Sequence, residues 1–442
     1  MRSTVLFNSL VQPLRHLRAS LAALDVESLA RRSGFLRRRP RKIPIVDLLL
    51  AFCALGPESV LSLERIAAII GLAAGCRYSK QALHQRLSGT LEHFLSAVAL
   101  ALFGQMSAPL RTQGCFAPFG RVLLHDSTVQ SLPSRLAAFF PGSASQKCKN
   151  GAALKIQWVC DLLSGSRVQM SWSGFRRNDQ AAADILGVVR PGDLILRDLG
   201  FFSLPVLLPL QQRGAFFLSR FRHGVVVRDP KTKKEIDLLK RLRQTGRFDG
   251  WVLLGEPQYL LRLVALPVPQ EVADRRRALA KNNRDQRKVP SPQRLALMNW
   301  SLFVTNVSAE LWAAPLLAKI YRLRWRIEMI FKSWKSHLRL RELNCRSADL
   351  VRLSVLLKLL YCLLTARCFA ALDARAPSDR QVSLLRFCRA LGQCGLLITA
   401  TLLDISPGQL LAHYLAHHAF YEKRSDRRNF TQHLNQLTSG LT

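Results

Sequence analysis

The run Tyr321-Arg322-Leu323-Arg324-Trp325-Arg326-Ile327-Glu328-Met329-Ile330-Phe331-Lys332-Ser333-Trp334-Lys335 sets one carboxylate among cations. Tyr321, Arg324, Glu328 and Lys335 fall at offsets 0, 3, 7 and 14. On a single helix, at about 100° per residue, those four side chains lie within roughly a 60° arc. Lys332 lies close to the same arc. An acid among bases on a helix face is ordinarily a solvated ion pair. Here the cationic face would run for roughly 20 Å, which suits a phosphate backbone, with one acid placed where a metal could sit. Trp325 and Trp334 are expected to pack the helix rather than to touch bases.

Upstream, two short apolar runs also end in acids. Arg121-Val122-Leu123-Leu124-His125-Asp126 is one and Asp193-Leu194-Ile195-Leu196-Arg197-Asp198 is the other. Between them, 153–160 and 167–173 read as strands around a turn at Ser164-Gly165-Ser166, and 178–189 has helical periodicity. A helix at 204–213 and a strand at 215–220 follow. The pattern predicts a mixed α/β layer across about 119–223. Acids at strand ends of such sheets favour ligand and metal sites. Asp126 and Asp198, joined by Glu328 from a later helix packed across the sheet, would form a three-carboxylate site. Such a site suits two Mg²⁺ ions, which take oxygen ligands and leave positions for water and phosphate. Two metals stabilise the attacking and leaving oxygens of an in-line displacement at phosphorus. Each acid alone has a plainer reading as a turn cap; the joint pattern is what points to chemistry. Asp161 and Asp179 are read as structural, and His125 as an ordinary strand residue.

Composition agrees. The chain has 442 residues, with 65 Lys plus Arg against 29 Asp plus Glu, a formal net charge of +36. A field of that sign attracts polyanions; nucleic acid is the expected partner and an anionic membrane surface the alternative. Arg and His are mixed through residues 1–24, which disfavours a signal peptide. The apolar stretch 351–372 is interrupted by Arg352, Lys358 and Arg367, so it reads as a buried helix rather than a membrane span. A cytoplasmic, nucleoid-associated protein is expected. The ten cysteines show neither C-x-x-C nor zinc-finger spacing and read as reduced, mostly buried thiols.

The remaining segments divide as follows. Residues 1–110 read as helical, with an apolar run at 45–55, a second at 63–72 and a basic helix from Lys80 capped by Ser79. That is a helix-turn-helix-like pattern able to contact DNA. Residues 119–223 form the first part of the core, with both Asp. Residues 224–300 look like a β-rich, basic insertion whose segment 274–288 is a loop or exposed helix. Residues 301–370 return to the core with the Glu328 helix. Residues 371–442 read as a helical, basic C-terminal region.

On these residues the chain resembles the DDE transposases of bacterial insertion sequences, specifically insertion-sequence family 4 with its Y-x2-R-x3-E-x6-K signature. Tyr321, Arg324, Glu328 and Lys335 match that signature without a gap. Asp126 in His-Asp-Ser-Thr and Asp198 in Arg-Asp-Leu-Gly-Phe-Phe match the first and second acidic motifs. The resemblance covers about 119–370. It implies an α/β, ribonuclease-H-like catalytic core with a β-rich insertion. It also implies cut-and-paste transposition with Mg²⁺, or Mn²⁺ in its place: nicking of the element end, a DNA hairpin, and joining to target DNA. Double-stranded DNA and a homodimeric synapse are the implied partners. The cationic face itself would grip DNA phosphates through Arg324 and Lys335, with Tyr321 hydrogen-bonding a phosphate oxygen and Lys332 as an extra contact. The resemblance further implies a DNA contact by Arg220, 22 residues after Asp198, and a base-stacking Trp at Trp300, 28 residues before Glu328. The alternatives for those two are a surface Arg and a core Trp. Two other functions compete: a ribonuclease-H-like nuclease without strand transfer, and a non-catalytic DNA-binding protein.

Overall fold

A computed structural model describes residues 21–38, 44–54, 63, 67, 70, 79–105, 113–142, 151–282, 289–338, 340, 347–393, 421–423 and 430–438, except 22, 88, 165–166, 176–178, 180–183, 374–375 and 378–379. Its centre is a nine-stranded mixed sheet. The strands are β1 Val122–Leu132, β2 Ala152–Asp161, β3 Arg167–Gly174, β4 Leu194–Arg197, β5 Phe216–Arg220, β6 Val227–Arg228, β7 Phe248–Leu254, β8 Tyr259–Pro267 and β9 Trp300–Thr305. Their order is β3-β2-β1-β4-β5-β9-β8-β7-β6. β1, β2 and β3 pair antiparallel, while β4 and β5 run parallel to β1. This is the ribonuclease-H-like mixed α/β core that the sequence leads one to expect. The strands expected in the insertion continue that sheet: β9 bonds to β5 on one side and β8 on the other, both antiparallel.

Alternation along the strands divides the buried side chains between the two faces. Val122, Leu124, Ile156, Trp158, Leu194 and Leu196 join one hydrophobic cluster. Leu123, Val159 and Ile195 join the other, with helix α1, Leu204–Gln212, over them. The first face is covered by α2, Ala314–Arg322, α3, Trp325–Ser336, and α4, Ala348–Asp373. Lys358 within α4 is 1 % exposed, which fits the buried-helix reading, and among the described residues no helix is long and apolar enough to cross a membrane. The N-terminal helices do not stand apart: Ile45–Ala54 and Gly89–Gln105 both pack against α4 and share its cluster. Ser79 caps Lys80–His84 as expected, accepting from the Ala82 N–H at 3.2 Å. Most of the preceding helix of the helix-turn-helix reading lies outside the described residues.

Two local boundaries need correction. β1 does not end at Asp126 but runs on to Leu132, because β2 supplies partners along its whole length, Asp126 opposite Trp158 among them. The described part of 178–189 includes a 3-10 helical turn at Asp184–Gly187, and residues 178 and 180–183 of that stretch lie outside the described residues. The basic segment after β8 takes the helical one of its two expected forms, Gln270–Lys281, but starts four residues earlier than expected, and residues 283–288 lie outside the described residues.

Candidate active site

The parallel pairing of β1 with β4 sets His125 opposite Arg197. The next residue on each strand is an acid, so Asp126 and Asp198 emerge side by side where β4 ends, on the face that holds α3. Trp158, the cross-strand partner of Asp126, meets Trp334 edge to face with centroids 4.5 Å apart. That contact, with buried Ile327 and Phe331, forms the i, i+4, i+7 stripe that docks α3 on the sheet. Glu328, one residue from the stripe, is thereby carried to the same sheet edge.

The Tyr321–Lys335 stretch is not one continuous helix. α2 ends at Arg322 and α3 begins at Trp325. At the junction the N–H groups of Leu323, Arg324, Arg326 and Ile327 bond three residues back instead of four. This tightened turn lets both Leu323 and Arg324 go inward, at 2 % and 8 % exposure. The phase slip also explains why Trp325 is 66 % exposed instead of packing, whereas Trp334 is buried as expected. Glu328, Lys332 and Lys335 stay on one face of α3, four and seven residues apart.

Arg324 is the hub. Its guanidinium lies 2.5 Å from Glu328 Oε1, 3.5 Å from Asp198 Oδ1 and 3.6 Å from Asp126 Oδ2. The Tyr321 hydroxyl donates to Asp198 Oδ1 at 3.1 Å, and the Tyr321 ring packs edge-on to Phe303. Arg220, at the end of β5, stacks on Phe303 at 5.3 Å and feels the charge of Asp198, so it belongs to this site rather than to a distant surface. Burial, then the neighbouring Arg276, lowers its pKa. Asp126 is the most enclosed of the acids: burial pushes its carboxyl up to about 7, against the Ser127 N–H bond at 2.7 Å and Arg324, which favour the charge. Burial disfavours the Arg324 charge, but Tyr321, Asp198 and Glu328 more than offset it and raise its pKa.

Among the described residues no three His, Cys, Asp or Glu side chains form a ready-made metal shell; the arginine stands where their oxygens converge. The donor set nonetheless fits a divalent ion. Three carboxylates are hard oxygen ligands of the kind Mg²⁺ and Mn²⁺ take, and they already gather around one cation.

Trp300 is placed differently from the stacking expectation. It is 9 % exposed within the core under the second face, and its indole N–H donates to the Gly246 carbonyl at 2.6 Å. This is the core Trp that the sequence leaves as the alternative to stacking, its indole held by packing and by that bond together. Asp161 is structural, as read: it accepts from the Val122 N–H and the Ser164 hydroxyl at the β2–β3 turn. Asp179, for which the sequence also predicts a structural role, accepts from the hydroxyl of Ser127, the neighbour of Asp126. No local signal marks it, since its partners are 22 to 52 residues away.

Residues 117–364, which contain all three acids, match the family model described as a transposase DDE domain. The chain is 28 % identical over 347 residues to the transposase of insertion sequence element IS231B from Bacillus thuringiensis subsp. berliner, across 73 % of this chain and 71 % of that one. It is 24 % identical over 343 residues to the transposase of IS1151 from Clostridium perfringens, across 71 % of each. A cryo-EM structure of the piggyBac transposase synaptic complex with hairpin DNA aligns over 91 % of this chain and 81 % of that one. Its TM-score of 0.40 and 11 % identity are too low to carry an argument.

Proposed function

The chain belongs to the DDE transposase family, and from that premise we propose that Asp126, Asp198 and Glu328 are the acids that perform its transposition chemistry with two Mg²⁺ ions. The observation that carries this reading is the convergence of all three carboxylates on Arg324 at one sheet edge. Metal ions bound there would supply an activated water and stabilise the attacking and leaving oxygens at phosphorus. Mn²⁺, also served by hard oxygen ligands, would substitute.

The chain's own side chains then divide the work. Asp126 and Asp198, on neighbouring strands of a rigid sheet, hold fixed oxygens, and Glu328 closes the site from α3. Arg324, once drawn from the carboxylates, presents a bidentate fork to a DNA phosphate. Lys332 and Lys335 continue the cationic face of α3 as point charges. Tyr321 orients Asp198 through its hydroxyl, and Arg220 adds a cation beside that pair. DNA ends are the substrate. Cut-and-paste transposition through a hairpin, within a homodimeric synapse, is the form of the reaction we adopt.

The test is incubation of purified protein with Mg²⁺ and linear DNA carrying the ends that flank its gene. Wild type is expected to nick the ends, form hairpins and join them to target, and Glu328→Gln to bind the DNA without cutting. Cutting by both proteins would remove Glu328 from the mechanism. Cutting without joining would favour a nuclease over a transposase.

A further inference from the structure

The face of the sheet opposite the three acids carries a second polar cluster, centred on Asp179. Side chains alternate along a strand, so Ser127, which follows Asp126, and Arg197, which precedes Asp198, both point to that other face. Asp179 Oδ1 accepts from the Ser127 hydroxyl at 2.9 Å, from Gln157 Nε2 at 3.0 Å and from Lys155 Nζ at 3.2 Å. Ser127 and Gln157 are direct cross-strand partners in the β1–β2 pairing. One carboxylate oxygen therefore ties β1 to β2 immediately behind Asp126. Gln157 is 2 % exposed, Lys155 6 % and Arg197 0 %. Asp179 is also the acid whose charge supports the buried Arg197 guanidinium.

We propose that Asp179 is a positioning residue for the metal-binding acids; this rests on the assignment of Asp126 and Asp198 given above. It acts in two ways. Through Ser127 it fixes the strand backbone that carries Asp126. By charge it offsets Lys155 and Arg197, two buried cations whose field would otherwise oppose a divalent ion on the far side of the sheet. Supporting partners of this kind alter metal affinity without touching the metal.

The test is Mn²⁺ binding to the full chain without DNA, followed by electron paramagnetic resonance. Asp179→Ala is expected to weaken binding on the order of tenfold. Asp179→Asn keeps the shape and loses the charge, and should weaken it less, while Asp179→Glu should recover part of the loss. DNA affinity should stay at the wild-type value. Wild-type Mn²⁺ affinity in folded Asp179→Ala and Asp179→Asn would overturn the proposal. If both fail to fold, Ser127→Ala, which deletes a single bond, replaces them: a severalfold loss supports the role and no change overturns it. Asp126→Asn separates the two levels of the argument. If it binds Mn²⁺ like wild type, the assignment of the acids falls. If it loses the ion while the Asp179 variants keep it, only the role of Asp179 falls.

Discussion

His125 lies opposite Arg197 in the parallel pairing of β1 with β4, and that single register position sets Asp126 beside Asp198. The backbone at both positions is held by the sheet, because β1 and β4 are buried there. Asp126→Asn or Asp198→Asn should therefore abolish DNA-end cleavage while leaving the fold and DNA binding intact. Gel shift and cleavage on the same DNA ends check both halves of this expectation.

Arg324 holds three acids together that would repel one another without it. Removing one partner of a fully buried ion pair costs about 3–5 kcal/mol. Asp198 and Glu328 are each about two-fifths exposed, so solvent screening reduces the expected loss for Arg324→Met to about 1–2 kcal/mol. Added Mn²⁺ should recover much of that loss, and should raise the melting temperature of the variant more than that of wild type. Thermal melts with and without the ion measure the difference.

The Asp126 carboxyl, pushed by burial up to about 7 from the ordinary 3.8, still holds its proton in mildly acidic solution. A metal ion must displace that proton. Mn²⁺ affinity should rise with pH up to about 7 and level off above it, with a slope of up to about tenfold per pH unit for the one proton released. In metal-free protein the sign for stability is the reverse. The unfolded chain gives up this proton first, so stability is full at low pH and declines as pH climbs from the ordinary carboxylate range toward 7. Calorimetric titrations at pH 6 and pH 8 in buffers of differing ionisation enthalpy would reveal the proton release; equal affinity at both would contradict it.

Trp300 should behave as a core residue. Trp300→Ala is expected to lose about 3–5 kcal/mol of stability, and Trp300→Phe less, with the Gly246 carbonyl losing its donor. Trp300→Phe should keep wild-type end binding and hairpin formation in the folded fraction. Loss of hairpin formation at full stability would return the ring to the DNA.

Arg262 provides a separate check on the sheet's extension. At 1 % exposure it donates to both oxygens of Asp249 and to the Ser308 and Trp312 carbonyls, tying β8 to the chain after β9. Arg262→Met should cost about 3 kcal/mol in denaturant unfolding, and loosen β7 and β8 in hydrogen exchange.

The sequence made the acids legible because acids are scarce in this chain and stand beside apolar runs. It made the buried nature of 351–372 legible through interrupting cations. The continuation of β1 past Asp126 was not legible, since Ser127-Thr128 reads equally as a turn; pairing with a distant β2 decides it. The break before Arg324 was hidden because Leu323 and Ile327 keep helical spacing across a tightened turn, and Trp325 faces outward as a result. The partners of Trp300 and Asp179 were not legible for one shared reason: Gly246, Ser127 and Lys155 are far from them in the chain, and no local pattern signals such partners.

The central claim is that Asp126, Asp198 and Glu328 hold the divalent metal in place of Arg324. Anomalous diffraction at the manganese edge, from crystals of the full protein grown with Mn²⁺, tests it most directly. Peaks against those three carboxylates, with the Arg324 guanidinium drawn away from them, are predicted. Manganese bound only elsewhere, with Arg324 still bridging the three acids, would contradict it.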